Sequence, residues 1–240
     1  MLPFWLAHHK TIFDHGIIID YRSTDQSVAI VKSICPEWTI QTSRNERFEA
    51  AAVDLEVMEI ERSLTGIKMA LNVTEFLFVQ RPLATYFDSI ESRVCFRLEA
   101  LTPISSAVRD SEPLSVEELF AGIEKVVPGQ RMGHRFIHNY LDGQYTVGRH
   151  TSGLESRQMP DATLLWFGFY PWTDRIIQRK LQIGTQIPAS DVRDHYEILK
   201  QHTMTADELE RKRIELQMDA MADLGECIWS DGYPIAFSNL

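Results

Sequence analysis

The sequence predicts an α/β fold, a sheet laid down strand by strand with helices crossing over it. Three observations carry this. IIID (17–20) is a short apolar run closed by a carboxylate, and ERFEAAAVDLEVMEIERSL (46–64) is a long run of good helix formers. Between the first residues and about residue 78, helix-like and strand-like segments alternate, which is the pattern of a parallel sheet with crossovers.

In chain order, Leu2, Trp5, Leu6, His9, Ile12 and Phe13 recur at helical spacing, so the opening segment reads as an amphipathic helix leading into IIID. Ser23 to Asp25 supply the short oxygen side chains that satisfy the free N–H groups of a first turn, and a helix is predicted over 26–34, stopped by Pro36. WTIQT (38–42) is a short strand. In the helix over 46–64, Phe48, Val53 and Val57 or Met58 can face a sheet. GIKMALNVTEFLF (66–78) reads as a strand that runs into a polar interruption.

The second half changes character. VCFRLEALTPIS (94–105) is strand-like, SVEELFAGIEKV (115–126) is a helix with Ser115 and Glu118 in capping-box spacing, and FIHNYLDGQYTVGRH (136–150) looks like a hairpin about Asp142-Gly143. TLLWFGFY (163–170) is a strong strand. From Thr173 the chain is mostly helical, with Thr205 and Glu208 again in capping-box spacing. The aromatic residues Trp166, Phe167, Phe169, Tyr170 and Trp172 can stack a sugar or base, and core residues of a strand look the same.

At 240 residues with 44% hydrophobic side chains, the chain can bury a substantial core, and it is read as one domain, 1–240, with halves 1–105 and 106–240. The formal charge is −10 and the basic residues gather into no long stripe, so nucleic acid is not expected as a partner. Three widely spaced cysteines, Cys35, Cys95 and Cys227, read as reduced core thiols. No apolar run approaches the ~18–20 residues of a membrane span, and HHK interrupts the N-terminus where a secretory signal would still be apolar. A cytoplasmic location is the expectation.

Ligands of parallel sheets sit beyond the carboxyl ends of the strands. Asp20 and the segment 72–75 both fall there. Asp20 with Ser23 reads equally well as a helix cap and as part of a binding loop.

FDHGIIIDYRSTDQSVAIVKSICPEWTI resembles the nucleotide-binding half of GT-A glycosyltransferases of the family-2-like kind, in which a strand ends in Asp and runs through a Ser-Thr-Asp loop into a helix. LNVTEFLF stands where that family has its D-x-D-E-F metal motif, and YTVGRH, RKLQIGTQIP and QH resemble the C-terminal part of a bacterial and phage-like branch. The resemblance spans most of the chain, and the first block is its specific part. It implies a mostly parallel, Rossmann-like GT-A sheet flanked by helices, with a mixed β and helical C-terminal part that would bind the acceptor.

The implied activity moves a sugar from a nucleoside diphosphate sugar to a glycan or other hydroxyl acceptor. In such enzymes the first strand-end Asp contacts the donor nucleoside. Asp20 would do so here, with Ser23, Thr24 and Asp25 shaping the loop. Arg149, Arg179 and Lys180 are the candidates for gripping the diphosphate, since charge develops there as the bond to the sugar breaks. A carboxylate or imidazole would take the acceptor's proton, with Glu75, Asp161 and Asp191 as candidates. Asp161 reads also as a turn residue. His138 and His202 stand as further ligands or bases, and each reads also as a hydrogen-bonded structural histidine.

Two departures from the family pattern matter. Its metal motif gives carboxylates to Mn²⁺ or Mg²⁺, whereas this chain has Asn72, Val73, Thr74 and Glu75. Asn72, Thr74 and Glu75, with His150 and His202, are the implied ligands, and only Glu75 keeps a charge among the motif positions. This favours, as an alternative, a catalytically degenerate protein that binds a nucleotide sugar or glycan. Related folds also open with a strand before the helix that here starts at Leu2, which predicts an exposed sheet edge or a thinned base pocket.

Overall fold

The computed structural model describes residues 1–88, 92–105, 113–127, 134–195, 199–222, 229–230 and 233–234. Cys227 lies outside them. The first half contains α1 (Leu2–His9), β1 (Ile17–Asp20), α2 (Ser27–Ile34), β2 (Thr39–Thr42), α3 (Ala50–Arg62), β3 (Lys68–Met69), β4 (Glu75–Val79) and the long β5 (Cys95–Ile104). The second half adds α4 (Val116–Ala121), β6 (Lys125–Val127), β7 (His134–His138), β8 (Arg157–Gln158), β9 (Ala162–Trp166), α5 (Asp174–Gln186), α6 (Ala189–Asp194), α7 (Ala206–Ala222), β10 (Trp229–Ser230) and β11 (Tyr233–Pro234).

The local signals that set the ends of helices hold. Asp25 Oδ1 accepts from Ser27 N–H at the start of α2 (2.9 Å), Ser115 Oγ accepts from Glu118 N–H (3.2 Å), and Thr205 and Glu208 cap each other reciprocally before α7. The helix expected over 115–126 is shorter, because its last residues leave as strand β6 to pair with β5. The hairpin expected about Asp142-Gly143 does not form. Instead Asp142 Oδ1 accepts from Gln144 N–H (2.9 Å) and the chain turns into a short 3₁₀ segment, Val147–Arg149.

The fold is α/β with a mixed, curled sheet rather than one mostly parallel sheet. The expected crossover exists once: β1 and β2 pair in parallel, Ile17 opposite Thr39 through Asp20 opposite Thr42, joined by α2. The larger sheet runs β3-β7-β5-β9-β4, with β6 and β8 also on β5; only the β5–β9 and β5–β8 pairs are parallel. The reason lies in 66–78. Read as one strand, it breaks at the polar interruption into β3 and β4, which end up at opposite ends of the strand path. Four strand spacings of a flat sheet span roughly 19 Å, and the five linking residues, 70–74, include a turn in which Glu75 N–H donates to Asn72 O (2.9 Å). The sheet therefore curls until its ends approach.

Helix α1 closes the outer edge of β4 with side chains. Trp5 Nε1 donates to Glu75 O (2.8 Å), His8 Nε2 to Leu77 O (2.6 Å), and Leu77 N–H donates to His9 Nε2 (3.1 Å). His9 Nδ1–H donates to Trp5 O (2.9 Å), which fixes the tautomer. On β1, Gly16 O and Asp20 O accept from β2 and its exit, so by parallel alternation the polar groups of Ile17 and Ile19 point away from β2. Among the described residues that second edge of β1 carries no strand.

Two large apolar clusters fill the interior. One is centred on Leu77, Leu98, Ile137 and Leu164, the other on Leu6, Phe76, Leu165 and Phe167. Trp166, Phe167, Phe169, Tyr170 and Trp172 are all buried. Cys35 and Cys95 are free, buried thiols, and burial pushes Cys95 up to about 12, which makes it an inert core residue.

Helix α5 lies close on the 3₁₀ segment Lys200–Thr203, because a Cβ on Gly184 would stand 2.0 Å from the His202 carbonyl oxygen. Gly184→Ala is expected to lose roughly 1–3 kcal/mol in urea denaturation, since the obstacle is backbone and one element must shift. Unchanged stability would mean that this contact is slack.

Candidate functional site

Helix α3 explains how the site is held. Asp54, Met58 and Glu61 recur at i, i+4 and i+7 and are all buried, a stripe that faces the chain from 142 to 150. Glu61 Oε2 accepts from Gly143 N–H (2.8 Å) and Oε1 from Tyr145 Oη (2.8 Å), and Met58 Sδ accepts from Tyr145 N–H (3.3 Å). Asp54 Oδ2 accepts from Gly148 N–H (2.6 Å), while its Oδ1 pairs with Arg149 Nη1. On another side of the helix, Glu56 accepts from Ser43 Oγ (2.7 Å) and Arg44 N–H (3.0 Å), pinning the exit of β2. One helix thus fastens two connections, the exit of β2 and the chain from 142 to 150, with three buried carboxylates.

From Asp54 the network runs on without a break. Arg149 Nη2 donates to Asn72 Oδ1 (2.8 Å); Asn72 N–H and Nδ2 donate to the two oxygens of Glu75 (2.8 and 3.0 Å). Arg135, on β7, clamps Glu75 through Nε (3.1 Å to each oxygen) and Nη2 (2.6 Å), and its Nη1 donates to Arg149 O (3.2 Å) and His150 Nδ1 (3.0 Å). His150 Nδ1 is therefore an acceptor. Burial alone pushes the Glu75 carboxyl up, but Arg135 and the Asn72 N–H outweigh it and hold the carboxyl below the ordinary glutamate range. Burial pushes the Asp54 carboxyl up by more than Arg149 and the Gly148 N–H pull it down.

Residues 148–149 hold backbone that favours glycine: Gly148 has φ 82° and Arg149 φ 57°. For an arginine this conformation costs about 1 kcal/mol or more. The turn keeps the guanidinium between Asp54 and Asn72, and Arg149 Nε is left without a partner.

This network forms one wall of a cleft of about 1360 Å³. Tyr21, Phe48, Asp54, Asn72, Glu75, Arg135, Arg149, His150, Trp166 and His202 all line it, as do the strand residues Ile17, Ile18 and Ile19. Tyr21 directly follows β1, and burial, with the nearby Glu56 and Asp54 charges, raises its phenol against the opposing pull of Ser43 and Arg149.

Trp166, opposite Glu75 in the β4–β9 register, has a cation over its ring. Lys180 Nζ lies 5.5 Å from the Trp166 ring centroid and 4.3 Å from that of Phe169. Burial, with Arg179 adding to it, pushes Lys180 down to about 7; burial and then Lys180 and Arg179 push His202 down to about 4, so its imidazole is neutral at pH 7.

Of the residues singled out in the sequence, Asn72, Glu75, Arg149, His150 and His202 meet at this cleft. Arg179 and Lys180 do not line it; Lys180 stands over the Trp166 and Phe169 rings. Asp20 is half-buried one residue before Tyr21, and its Oδ1 accepts from Ser23 N–H (3.1 Å); Ser23, Thr24 and Asp25 are exposed, so the loop shows the turn-and-cap bonding that its sequence also allowed. Thr74 is buried, its carbonyl accepting from Phe167 N–H (2.7 Å). Asp161 stands at the far end of the β4–β9 ladder from Glu75, with φ 52° and Arg81 Nη2 3.4 Å away, as a turn residue would. Asp191 Oδ2 accepts from Ala50 N–H (2.8 Å) at the start of α3. His138 is fully buried with its Nε2 3.2 Å from Tyr145 Oη, a structural position.

The donor set does not fit Mn²⁺ or Mg²⁺ at 72–75. Both Glu75 oxygens are taken by Arg135 and Asn72, and the Asn72 oxygen is taken by Arg149. Guanidinium groups sit where hard oxygens would have to face a cation. Among the described residues no group of three His, Cys, Asp or Glu side chains is arranged to hold a metal.

Sequence reasoning passed over Asp54, Glu56, Glu61 and Arg135. The first three carried a signal: at helical spacing they fall on or beside the apolar positions Val53, Val57 and Met58. Arg135 carried none. Among the described residues no helix is long and apolar enough to cross a membrane. No protein-family model matches this chain, and no curated protein matches its sequence, so the site stands on its own geometry.

Proposed function

We propose that this protein is a glycosyltransferase that moves a sugar from a nucleoside diphosphate sugar to an acceptor hydroxyl. The observation that carries the reading is the cleft itself: the parallel β1–α2–β2 unit delivers Tyr21 to the same cavity that buried Arg149 and His202 line. Aromatic walls at Tyr21, Phe48 and Trp166 suit a base or sugar, and the cationic side suits a diphosphate. The acceptor oxygen would attack the anomeric carbon as its bond to the diphosphate oxygen breaks, with the hydroxyl proton passing to a base.

His202 is the base that the geometry favours. It lines the cleft, whereas Glu75 is clamped, Asp161 lies beyond the far end of the β4–β9 ladder and Asp191 caps a helix. That commitment of all three carboxylates favours, as the second reading, a protein that binds a nucleotide sugar without turning it over.

Thermal denaturation with UDP-, GDP- and CDP-sugars tests both. A donor at a hundredfold excess over its Kd is expected to add about 2.7 kcal/mol of apparent stability. If none of them shifts the transition, both readings fail. His202→Ala is expected to keep the shift and lower turnover by roughly 10²–10⁴-fold. A shift with no transfer or donor hydrolysis by the unmodified protein selects the binding role.

A further inference from the structure

We infer that Lys180 is a covalent site outside the cleft, an amine that condenses with an aromatic aldehyde over the rings of Trp166 and Phe169. The inference goes beyond sugar transfer and does not depend on it.

The first observation is what surrounds the amine. Lys180 Nζ stands 4.3 Å from the Phe169 ring centroid and 5.5 Å from that of Trp166, on a half-buried side chain. Among the described residues it donates no hydrogen bond and faces no carboxylate. Lys68 shows the other arrangement in the same protein. That buried ammonium donates to the carbonyls of Glu61 (3.0 Å), Leu64 (3.2 Å) and Leu141 (2.9 Å), which keeps its nitrogen protonated and engaged. Ring faces attract a cation, but they return only part of what three carbonyl acceptors supply.

The second is the neighbouring charge. Arg179 precedes Lys180 on α5 and likewise has no carboxylate partner among the described residues. Of the elements packed on α5, the 3₁₀ segment Lys200–Thr203 brings His202, neutral at pH 7, and α7 carries Glu210, whose carboxylate is taken by Arg213. Burial and a like charge, with no acid to offset them, favour the free amine and push Lys180 from 10.5 down to about 7. About half of it then carries a lone pair at neutral pH, where an ordinary lysine carries almost none.

The rings select the partner. Trp166, Phe169 and Trp172 are all buried, with Phe169 stacked on Trp172 at 5.8 Å between centroids, so the amine lies over flat aromatic surface. A flat, uncharged electrophile suits that surface, and Arg179 disfavours a cationic one. The lone pair adds to the carbonyl carbon, a proton passes from nitrogen to oxygen, and the carbinolamine loses water to leave the imine.

The test is labelling of the full chain with limiting benzaldehyde and sodium cyanoborohydride, which reduces the imine to a stable amine, with peptide mass spectrometry between about pH 6 and about pH 10. At pH 7 Lys180 is expected to react about tenfold faster than the exposed Lys10 and Lys32, with its half-maximal rate at about pH 7, while Lys68 resists. Lys180→Arg is expected to lose the fast site and leave Lys10 and Lys32 as they were. Lys180 that reacts no faster than Lys10 and Lys32, that rises with them only toward about pH 10, or that resists as Lys68 does, overturns the inference. Acetaldehyde, which has no ring, is expected to show about threefold less preference for Lys180, the loss of one stacking contact. Equal preference for the two aldehydes overturns the aromatic assignment.

Discussion

Arg135→Ala is expected to cost roughly 3–5 kcal/mol of unfolding free energy, among the largest effects of any polar substitution in this protein. The cause is the group left behind. Glu75 is 2% exposed, and its carboxylate is held below the ordinary glutamate range chiefly by Arg135, helped by the Asn72 N–H and Arg149. Without the guanidinium it keeps the burial and loses the compensation. The double variant Glu75→Gln with Arg135→Met should recover most of the loss, because it buries no charge. Urea denaturation of Arg135→Met, Glu75→Gln and the double gives the coupling between them. Additive losses would show that the pair is not the keystone described here, and that the turn at 72–75 is held by other contacts.

Acid is expected to weaken the protein well before its ordinary carboxylates titrate. His9 is fully buried, with its Nδ1–H donating to Trp5 O and its Nε2 accepting from Leu77 N–H, an arrangement that needs the neutral ring. Burial, with His8 adding to it, pushes it from 6.5 down to about 3. Above pH 6.5 both folded and unfolded chains carry neutral rings and nothing is lost. Between 6.5 and about 3 the unfolded chain binds a proton that the folded chain refuses, so stability falls with falling pH. The slope from this one group approaches about 1.4 kcal/mol per pH unit. His202, pushed down to about 4, adds in the same direction, and Glu75 extends the loss below the ordinary glutamate value. His9→Gln keeps a donor and an acceptor without a titrating group. Its stability should vary less between about pH 7 and pH 5 than that of the unmodified chain, by urea denaturation at each pH. Equal slopes would place the acid sensitivity elsewhere.

Both effects come from contacts between residues far apart in the chain, and that separates what was legible in the sequence from what was not. The crossover β1–α2–β2 was legible because its signals are local: an apolar run, short oxygen side chains at the helix start and a proline after its end. The capping boxes at Ser115 and Thr205 were legible for the same reason. The hairpin about Asp142-Gly143 was misread because its turn residues are also what an Asx turn needs, and Glu61, 82 residues before Gly143, decided between them. The strand over 66–78 was misread because apolar content does not say where a sheet curls.

At the cleft, five residues named from the sequence converge, and their meaning changes there. Asn72 and Glu75, marked as metal ligands, are the partners of Arg149 and Arg135. Nothing local distinguishes a carboxylate that will face a cation in solution from one that will face a guanidinium.

By itself the sequence determined the class of fold, the crossover unit at its start, the helix caps and the oxygen-rich segment at 72–75, since each depends on residues within a few positions of one another. Tertiary structure alone decided the mixed order of the strands, the partners of Asp54, Glu56 and Glu61, and the pairing of Glu75 with an arginine 60 residues away. The physical reason is that a buried charge selects its partner by proximity after the chain has closed, when desolvation makes any other arrangement too costly.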